Sequence, residues 1–375
     1  MSRYRVLYVS NEEYRLGGSS LSLLNMLQSL GEEVEPVILF KTAGCVSDFF
    51  QNRGYKCLVV PFYRNSFSAR GLMRVLRFIP HAVARFFVQN ACVRCVVKEC
   101  GHIDAVHSNS STVDIGLKIA SRLGVPHVWH FREYYDVGLN GRPFPSWASW
   151  RRKLRRSNAL IAITPGLFRH FGLDSHINSF CIPDAVCNAS AAGPVREERN
   201  KSVLFIAGTV SEVKRPADAL QIFAASGLDG YELVIIGSTD QLAKDSLTRL
   251  AASLGVSERV RFVPFANDVR PYLESAAAVL VCTENEGMGR VAVEAMFAGC
   301  PVVARNSGGS RDVLGEGRYG SLYDTIGQGA EALKACTVSF PKAQVLEAQQ
   351  EAERTYSIER YGAKILQVYD SVCLK

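Results

Sequence analysis

Residues 276–301, AAAVLVCTENEGMGRVAVEAMFAGCP, restrict the fold of this chain more than any other stretch. The apolar run 276–282 has the length of a buried strand. Gly287 and Gly289 follow in a polar loop, and a helical pattern from Arg290 to Ala298 is stopped by Gly299 and Pro301. Strand, glycine loop and helix in that order turn backbone N–H groups and the positive end of a helix dipole toward an anion. Glycine lets the backbone come close to it. Glu286 and Glu294 flank this cradle. A carboxylate beside a phosphate site is suited to accept hydrogen bonds from hydroxyls, as sugars and ribose supply. The stretch therefore predicts a nucleotide-sugar site.

A chain of 375 residues is long enough for two α/β domains. No apolar run approaches the ~20 residues of a membrane span. The N-terminus enters a strand at Arg5–Val9 without a secretory apolar region. Eleven cysteines, an odd number scattered through apolar stretches, fit a reducing cytoplasm better than a disulfide framework. Charge is uneven. The net charge is +7, yet residues 1–180 hold 23 basic and 12 acidic residues, about +11. A basic first half suits an anionic lipid surface or an acidic acceptor. A nucleic-acid partner is not expected.

Strands at 5–9, 34–40, 57–60, 104–107, 128–133 and 160–163 alternate with helical patterns through the first half. Gly17 and Gly18 precede the helix 21–30, a turn that either receives a polar ligand or simply joins strand to helix. In the helical region 66–100, Arg70, Arg74, Arg77, His81 and Arg85 share a face, and Pro80 is expected to divide the region into two helices. Leu72, Val75, Leu76, Ile79, Val83, Phe86 and Phe87 supply apolar area. The region reads either as a basic amphipathic membrane surface or as a crossover helix with a solvated face. Cys92, Cys95, Cys100 and His102 superficially resemble a zinc spacing, but buried thiols are the commoner explanation. Asn109 lies in a polar turn, SNSST. His130, Arg132 and Glu133 fall at the carboxyl end of a strand, where open parallel sheets bind ligands. WASWRRKLRR, residues 147–156, reads as a basic helix whose two tryptophans suit a membrane interface or a solvated end.

Residues 182–200 read as a linker, after which strands at 203–207, 232–236, 260–263, 276–282 and 302–304 restart the alternation. Gly208 ends the first of these and Gly237 the second. Lys214 lies just before a helix opened by Pro216, a pairing of cation and helix start that suits a diphosphate. Ser307-Gly308-Gly309-Ser310 forms another glycine turn. The expected domains are 1–185 and 200–355, with a final segment 356–375 whose amphipathic helix packs back on the first domain.

The run Glu286-Gly287-Met288-Gly289, then Glu294-Ala295-Met296, Gly299 and Pro301, closely resembles the Glu-x7-Glu signature of the GT-B glycosyltransferases of family 4, also called glycosyltransferase group 1. The flanks RVRFVPFANDVRPYLESAAAVLV and PVVARNSGGSRDVL resemble that family too. His130-Phe131-Arg132-Glu133 and the upstream HSNSS resemble its bacterial capsular and exopolysaccharide members. The resemblance implies an α/β fold of two Rossmann-like doubly wound domains facing across a cleft. It implies retaining transfer from a UDP- or GDP-linked sugar to a glycan or lipid-linked acceptor, with no metal, in the cytoplasm or peripherally at the inner membrane face. In that reading Glu286 holds the donor sugar's hydroxyls, and Met288, Gly289 and Arg290 offer N–H groups beside Gly287. Glu294 binds the ribose, and Lys214 neutralises the diphosphate leaving group. His130 orients sugar and acceptor, and Gly17 and Gly18 border the donor phosphate. Gly208 and Gly237 line the donor side, while Asn109, Arg132 and Glu133 lie on the acceptor side. Two departures stand out. Thr209 follows Gly208 where the family usually carries an Arg soon after, and Arg215 follows Lys214 where Gly is common. Either Arg215 replaces the missing charge or phosphate binding is weaker.

Three other readings are open. Gly287-Met288-Gly289-Arg290-Val291-Ala292 fits a dinucleotide fingerprint, as in an NAD-dependent oxidoreductase, but the next strand ends in Arg305 and Asn306 instead of an acid. A sugar-nucleotide epimerase uses the same scaffold. A non-catalytic sugar-nucleotide-binding protein would also keep the cradle.

Overall fold

The computed structural model describes residues 3–11, 16–66, 72–134, 136–137 and 141–374, with the side chains of 72–76 outside the description. It divides into two compact units, residues 1–184 with 360–375, and residues 185–359.

In the first unit the strands are β1 (Tyr4–Val9), β2 (Val34–Phe40), β3 (Lys56–Val59), β4 (Ala105–Ser108), β5 (His127–Phe131), β6 (Ala159–Ala162) and β7 (Ser179–Cys181). Its helices are α1 (Gly18–Leu30), α2 (Cys45–Gln51), α3 (Leu72–Glu99), α4 (Ile115–Leu123), α5 (Trp147–Arg156) and α6 (Pro165–His170). All ladders are parallel, in the order β3-β2-β1-β4-β5-β6-β7. Strands covered by helices on both faces carry continuous apolar runs, and β1 is buried at Tyr4 and from Val6 to Val9. Leu7, Val37, Val106 and Ile119 are part of one core layer.

The second unit has β8 (Ser202–Thr209), β9 (Glu232–Ser238), β10 (Val260–Val263), β11 (Ala278–Val281), β12 (Val302–Arg305) and β13 (Ser321–Tyr323). Its helices are α7 (Pro216–Ala225), α8 (Gln241–Ser253), α9 (Arg270–Ser275), α10 (Arg290–Phe297), α11 (Gly308–Val313), α12 (Ile326–Val338) and α13 (Lys342–Tyr356). The order is β10-β9-β8-β11-β12-β13, again all parallel. Phe205, Ile235, Leu280 and Val303 anchor its core. In both units the chain winds outward from one central strand and then crosses to its other side, so strand order reverses once, at β1/β4 and at β8/β11. Loops at such a switch point diverge and leave a crevice at the carboxyl ends of the strands.

Several expectations need correction. Helix α3 runs unbroken with Pro80 inside it. Pro80 forfeits its own backbone N–H bond, and the turns on both sides continue the helix. Arg85 is buried and joins no exposed basic face: its guanidinium pairs with Asp114 at 2.5 Å and donates to the Arg64 carbonyl. Arg70 and the Arg74 side chain lie outside the described residues. Trp150 is core, ringed by Trp129, Phe131 and Phe171 at centroid distances of 6.5, 6.0 and 5.4 Å. All eleven cysteines are free; Cys92 and Cys100 are buried while Cys95 is exposed, and His102 bonds Asp104 at 2.9 Å. Strands β7 and β13, three residues each, are additions to the sequence reading.

Helix α14 (Ile358–Cys373) begins in the second unit and is part of the first from Arg360 on. Its Gly362 donates to Ser29 Oγ at 2.5 Å, and a Cβ there would stand 2.3 Å from the Ser29 carbonyl oxygen. Alanine ordinarily favours a helix over glycine by ~1 kcal/mol. Here Gly362→Ala is expected to destabilise by ~1–3 kcal/mol because α1 and α14 must part. Thermal melting reads this as a fall of several degrees; an unchanged or raised midpoint would contradict the close approach.

Candidate functional site

At the second unit's switch point, two loops leave β8 and β11 side by side. The β11 loop turns through left-handed backbone angles. Asn285 adopts φ 57, unusual for a non-glycine residue, and Gly289, the residue before α10, has φ 88. The glycine turn after β12 holds this loop. The Gly309 N–H donates to the Glu286 carbonyl at 2.7 Å. A Cβ on Gly309 would come within 2.4 Å of the Gly287 carbonyl oxygen, and one on Gly308 within 2.8 Å of that of Glu286. Two backbones thus touch directly, which only glycine permits.

From the other side, Lys214 ends the short turn Glu212–Lys214, and its Nζ donates to Glu286 Oε2 at 2.8 Å. The pair bridges the β8 and β11 loops, with the two side chains 34% and 22% exposed, so it stays open to a ligand. Arg215, in a left-handed conformation before Pro216, turns elsewhere. It bonds Asp218 and Glu284 at 2.8 and 2.9 Å. Arg305 also approaches Asp218, at 3.5 Å. Arg290 donates to the Ala185 carbonyl at 3.4 Å and lies 3.7 Å from Glu294, whose carboxyl is raised by burial against that cation's pull. Met288 is buried. Gly237 needs its glycine, since a Cβ would lie 2.1 Å from the Ala207 carbonyl oxygen. Gly208 sits in a register shift of β8, where a Cβ would meet no protein atom within 4 Å. Packing thus leaves the space above Gly208 empty. A cation, a carboxylate, a helix start and backbone N–H groups converge here, a set suited to a sugar-linked diphosphate.

In the first unit, His130, Arg132 and Asn109 come together in a buried network. Gly17 and Gly18 open α1 with ordinary backbone angles at Gly17, and Asn109 Nδ2 donates to the Ser19 carbonyl at 3.3 Å. Arg132 donates to Asn109 Oδ1 at 3.1 Å, to His130 Nδ1 at 3.2 Å and to Asp184. Tyr361 of α14 donates to the same aspartate at 2.9 Å. His130 Nδ1 is also 3.1 Å from His107 Nε2; His107 Nδ1 is 2.8 Å from Tyr369 Oη, itself 2.8 Å from Tyr8 Oη. Because a guanidinium only donates, His130 Nδ1 accepts. His107 then donates from Nε2 and accepts from Tyr369, and His130 carries its proton on Nε2, 3.9 Å from Asp184. His130, Arg132 and Asn109 are all buried, so His130 touches nothing outside the network directly. Glu133 is more open and accepts from Ser110 and Ser111 at 2.5 and 2.9 Å. Sequence reasoning missed Asp184, Tyr361, Tyr369 and His107 as members of this network. Asp184 falls in the linker of the sequence reading, Tyr361 and Tyr369 interrupt an apolar helix pattern, and His107 ends a strand.

Two solved structures and two curated relatives bear on the class. The chain resembles Anabaena Alr3699/HepE in complex with UDP, at a TM-score of 0.79 and 16% identity, covering 98% of this chain and 100% of that one. The same Anabaena protein in complex with UDP-glucose matches at 0.77 and 16%, with the same coverage. The two parallel Rossmann-like units thus define an α/β protein of the GT-B architecture. Residues 192–335 match the family described as Glycosyl transferases group 1, so the second unit carries a transferase domain. The Rhizobium meliloti lipopolysaccharide core biosynthesis glycosyltransferase LpsE is 33% identical over 112 residues, 30% of this chain and 32% of that protein. The Mycobacterium bovis D-inositol 3-phosphate glycosyltransferase is 34% identical over 171 residues, 44% and 34% respectively. The chain spans about a third of the length of these curated relatives.

Burial holds His107 and His130 well below the usual imidazole range, with Arg132 adding to it, and drives His127 down to about 3. The unfolded chain takes up these protons near pH ~6.5, so on acidification it binds more protons than the folded one. Stability is expected to hold above pH ~6.5 and to fall below it, by up to ~1.4 kcal/mol per pH unit for each histidine. Urea midpoints measured from neutral to mildly acid pH test this; a flat profile would contradict neutral buried imidazoles.

Proposed function

We propose that the chain is a retaining glycosyltransferase of family 4, moving a hexose from a nucleotide-sugar to a glycan or lipid-linked acceptor in cell-surface polysaccharide synthesis. The observation that carries this reading is the Lys214–Glu286 pair bridging the switch point beside the α10 start. UDP and UDP-glucose in the Anabaena neighbour favour uridine over guanosine, and the LpsE relative supports a surface-polysaccharide role.

In the proposed reaction the diphosphate lies against the N–H groups of Met288, Gly289 and Arg290, over Gly208 and Gly287. Lys214 shifts from Glu286 to the diphosphate and offsets the charge that grows as the sugar leaves. Glu286, released, accepts hydrogen bonds from the sugar's hydroxyls, and Glu294 accepts from the ribose. The bond between the anomeric carbon and the phosphate oxygen breaks, and the acceptor oxygen bonds that carbon on the same face. The acceptor's proton passes to the departing phosphate oxygen. No metal is needed where Lys214 and the helix start carry that charge. Gly17 and Gly18 border the donor phosphate and the acceptor, and Asn109 and Glu133 serve the acceptor side, with Arg132 and His130 positioning them. The reaction is assigned to the cytoplasmic face of a membrane.

Because Arg215 is held by two carboxylates, Lys214 supplies the phosphate charge. Calorimetry with UDP is expected to show a larger affinity loss for Lys214→Ala than for Arg215→Ala. The reverse order would assign the phosphate to Arg215. Glu286→Gln is expected to cut transfer from a UDP-sugar by ~100-fold or more with the melting midpoint nearly unchanged, since a partly exposed pair contributes about 1 kcal/mol or less. Full activity in that variant would remove Glu286 from the site, and UDP binding without any transfer would favour a binding protein.

A further inference from the structure

Arg215 is a backbone outlier at the edge of the second unit's site. It sits at φ 54, ψ 51, a left-handed conformation that glycine takes freely and residues with a Cβ disfavour. Its side chain offsets that cost. Each of the three guanidinium nitrogens donates to a carboxylate. Nε and Nη2 reach Asp218 Oδ2 and Oδ1 at 2.8 and 3.4 Å, and Nη1 reaches Glu284 Oε2 at 2.9 Å. Two bonds to one planar carboxylate fix the direction of the guanidinium as well as its place.

Two ion pairs therefore join the same two loops. Lys214 and Arg215 are neighbours in the loop after β8, and their partners Glu286 and Glu284 stand on either side of Asn285 in the loop after β11. Asp218, in the first turn of α7, is the fixed point behind the second pair. It also takes Arg305 at 3.5 Å, at the end of the strand from which the glycine turn 307–310 leaves. The two pairs differ in what they can do next. Lys214 has one carboxylate partner among the described residues, and the proposed reaction takes it from Glu286 to the diphosphate. Arg215 has two, and a phosphate drawing it away would strip both Asp218 and Glu284 of their cation. When the first bridge opens, the second still holds the loops together.

We propose that Arg215 is a positioning residue of the donor site. Its ion pair with Glu284, braced by Asp218, clasps the β8 and β11 loops together while Lys214 passes from Glu286 to the diphosphate. The clasp keeps the Lys214 backbone where the ammonium reaches both partners in turn. Arg215 itself touches no part of the donor. The inference rests on the proposed donor site and adds how that site keeps its shape through the exchange.

The test is UDP binding by calorimetry to Arg215→Met, to Glu284→Gln and to the two combined, each in the unaltered chain and in Lys214→Ala. The Glu284 side chain is 49% exposed, so its change to Gln leaves the packing of the fold alone. With Lys214 present, each single change is expected to weaken UDP binding about 3- to 10-fold. The combined variant is expected to lose no more than either, since both changes remove one interaction. In Lys214→Ala, whose own loss is larger, the same changes are expected to shift UDP affinity by less than about 2-fold, because the clasp acts through the lysine. An equal loss with and without Lys214 would overturn the proposal and make Arg215 a phosphate ligand or a general support of the fold. So would losses that add in the combined variant, or no loss in either single variant. UDP binding that survives Lys214→Ala unchanged would instead remove the donor reading, and the clasp with it.

Discussion

The backbone of Gly308 and Gly309 lies directly on the loop from Glu286 to Met288, fastened by one hydrogen bond of 2.7 Å. The rest of the second unit's site depends on that contact. Asn285 at φ 57 and Gly289 at φ 88 take left-handed angles that Asn and Gly tolerate better than other residues. Held in place, the loop presents Glu286 to Lys214 and leaves the start of α10 uncapped by any side chain. An uncapped helix start, with a cation 2.8 Å from the nearest carboxylate, is a place where a diphosphate can displace one charge and satisfy several N–H groups at once.

A different device orders the first unit. Arg132 and Asp184 are both buried, an expensive arrangement unless every remaining hydrogen-bonding position is filled. Asn109, His130 and Tyr361 take up part of that bonding capacity, and His107 passes the network on to Tyr369 and Tyr8. Two of these tyrosines come from α14, nearly two hundred residues after Asp184. The last helix is thus tied to the end of β5 by polar contacts as well as by the close approach at Gly362.

Much of this was legible from residues alone where the pattern was local. The second unit's strands, its glycine turns and the pair Glu286 and Glu294 stand in one short stretch, and their chemistry follows from order and spacing. Long-range pairings were not legible. Arg85 shares helical spacing with Arg77, yet Asp114 draws it inward. Trp150 looked interfacial beside five basic residues, yet four aromatic rings pack on it. His130 stands at a strand end, as a ligand-binding residue should, but Arg132 and His107 close over it. Arg215 stands where a phosphate cation is missing, and Asp218 and Glu284 hold its guanidinium. Asp114, the Trp129 ring beside Trp150, His107 and Glu284 all lie outside the local pattern, and spacing carries no information about them.

The account stands on a diphosphate binding where the β8 and β11 loops meet the start of α10. Amide hydrogen exchange with and without UDP tests that claim at the level of single segments. It predicts slower exchange in residues 284–291 and in the supporting turn 307–311, with α3 and α14 unaffected. Unchanged exchange in both segments at saturating UDP, or protection confined to residues 3–134, would contradict it.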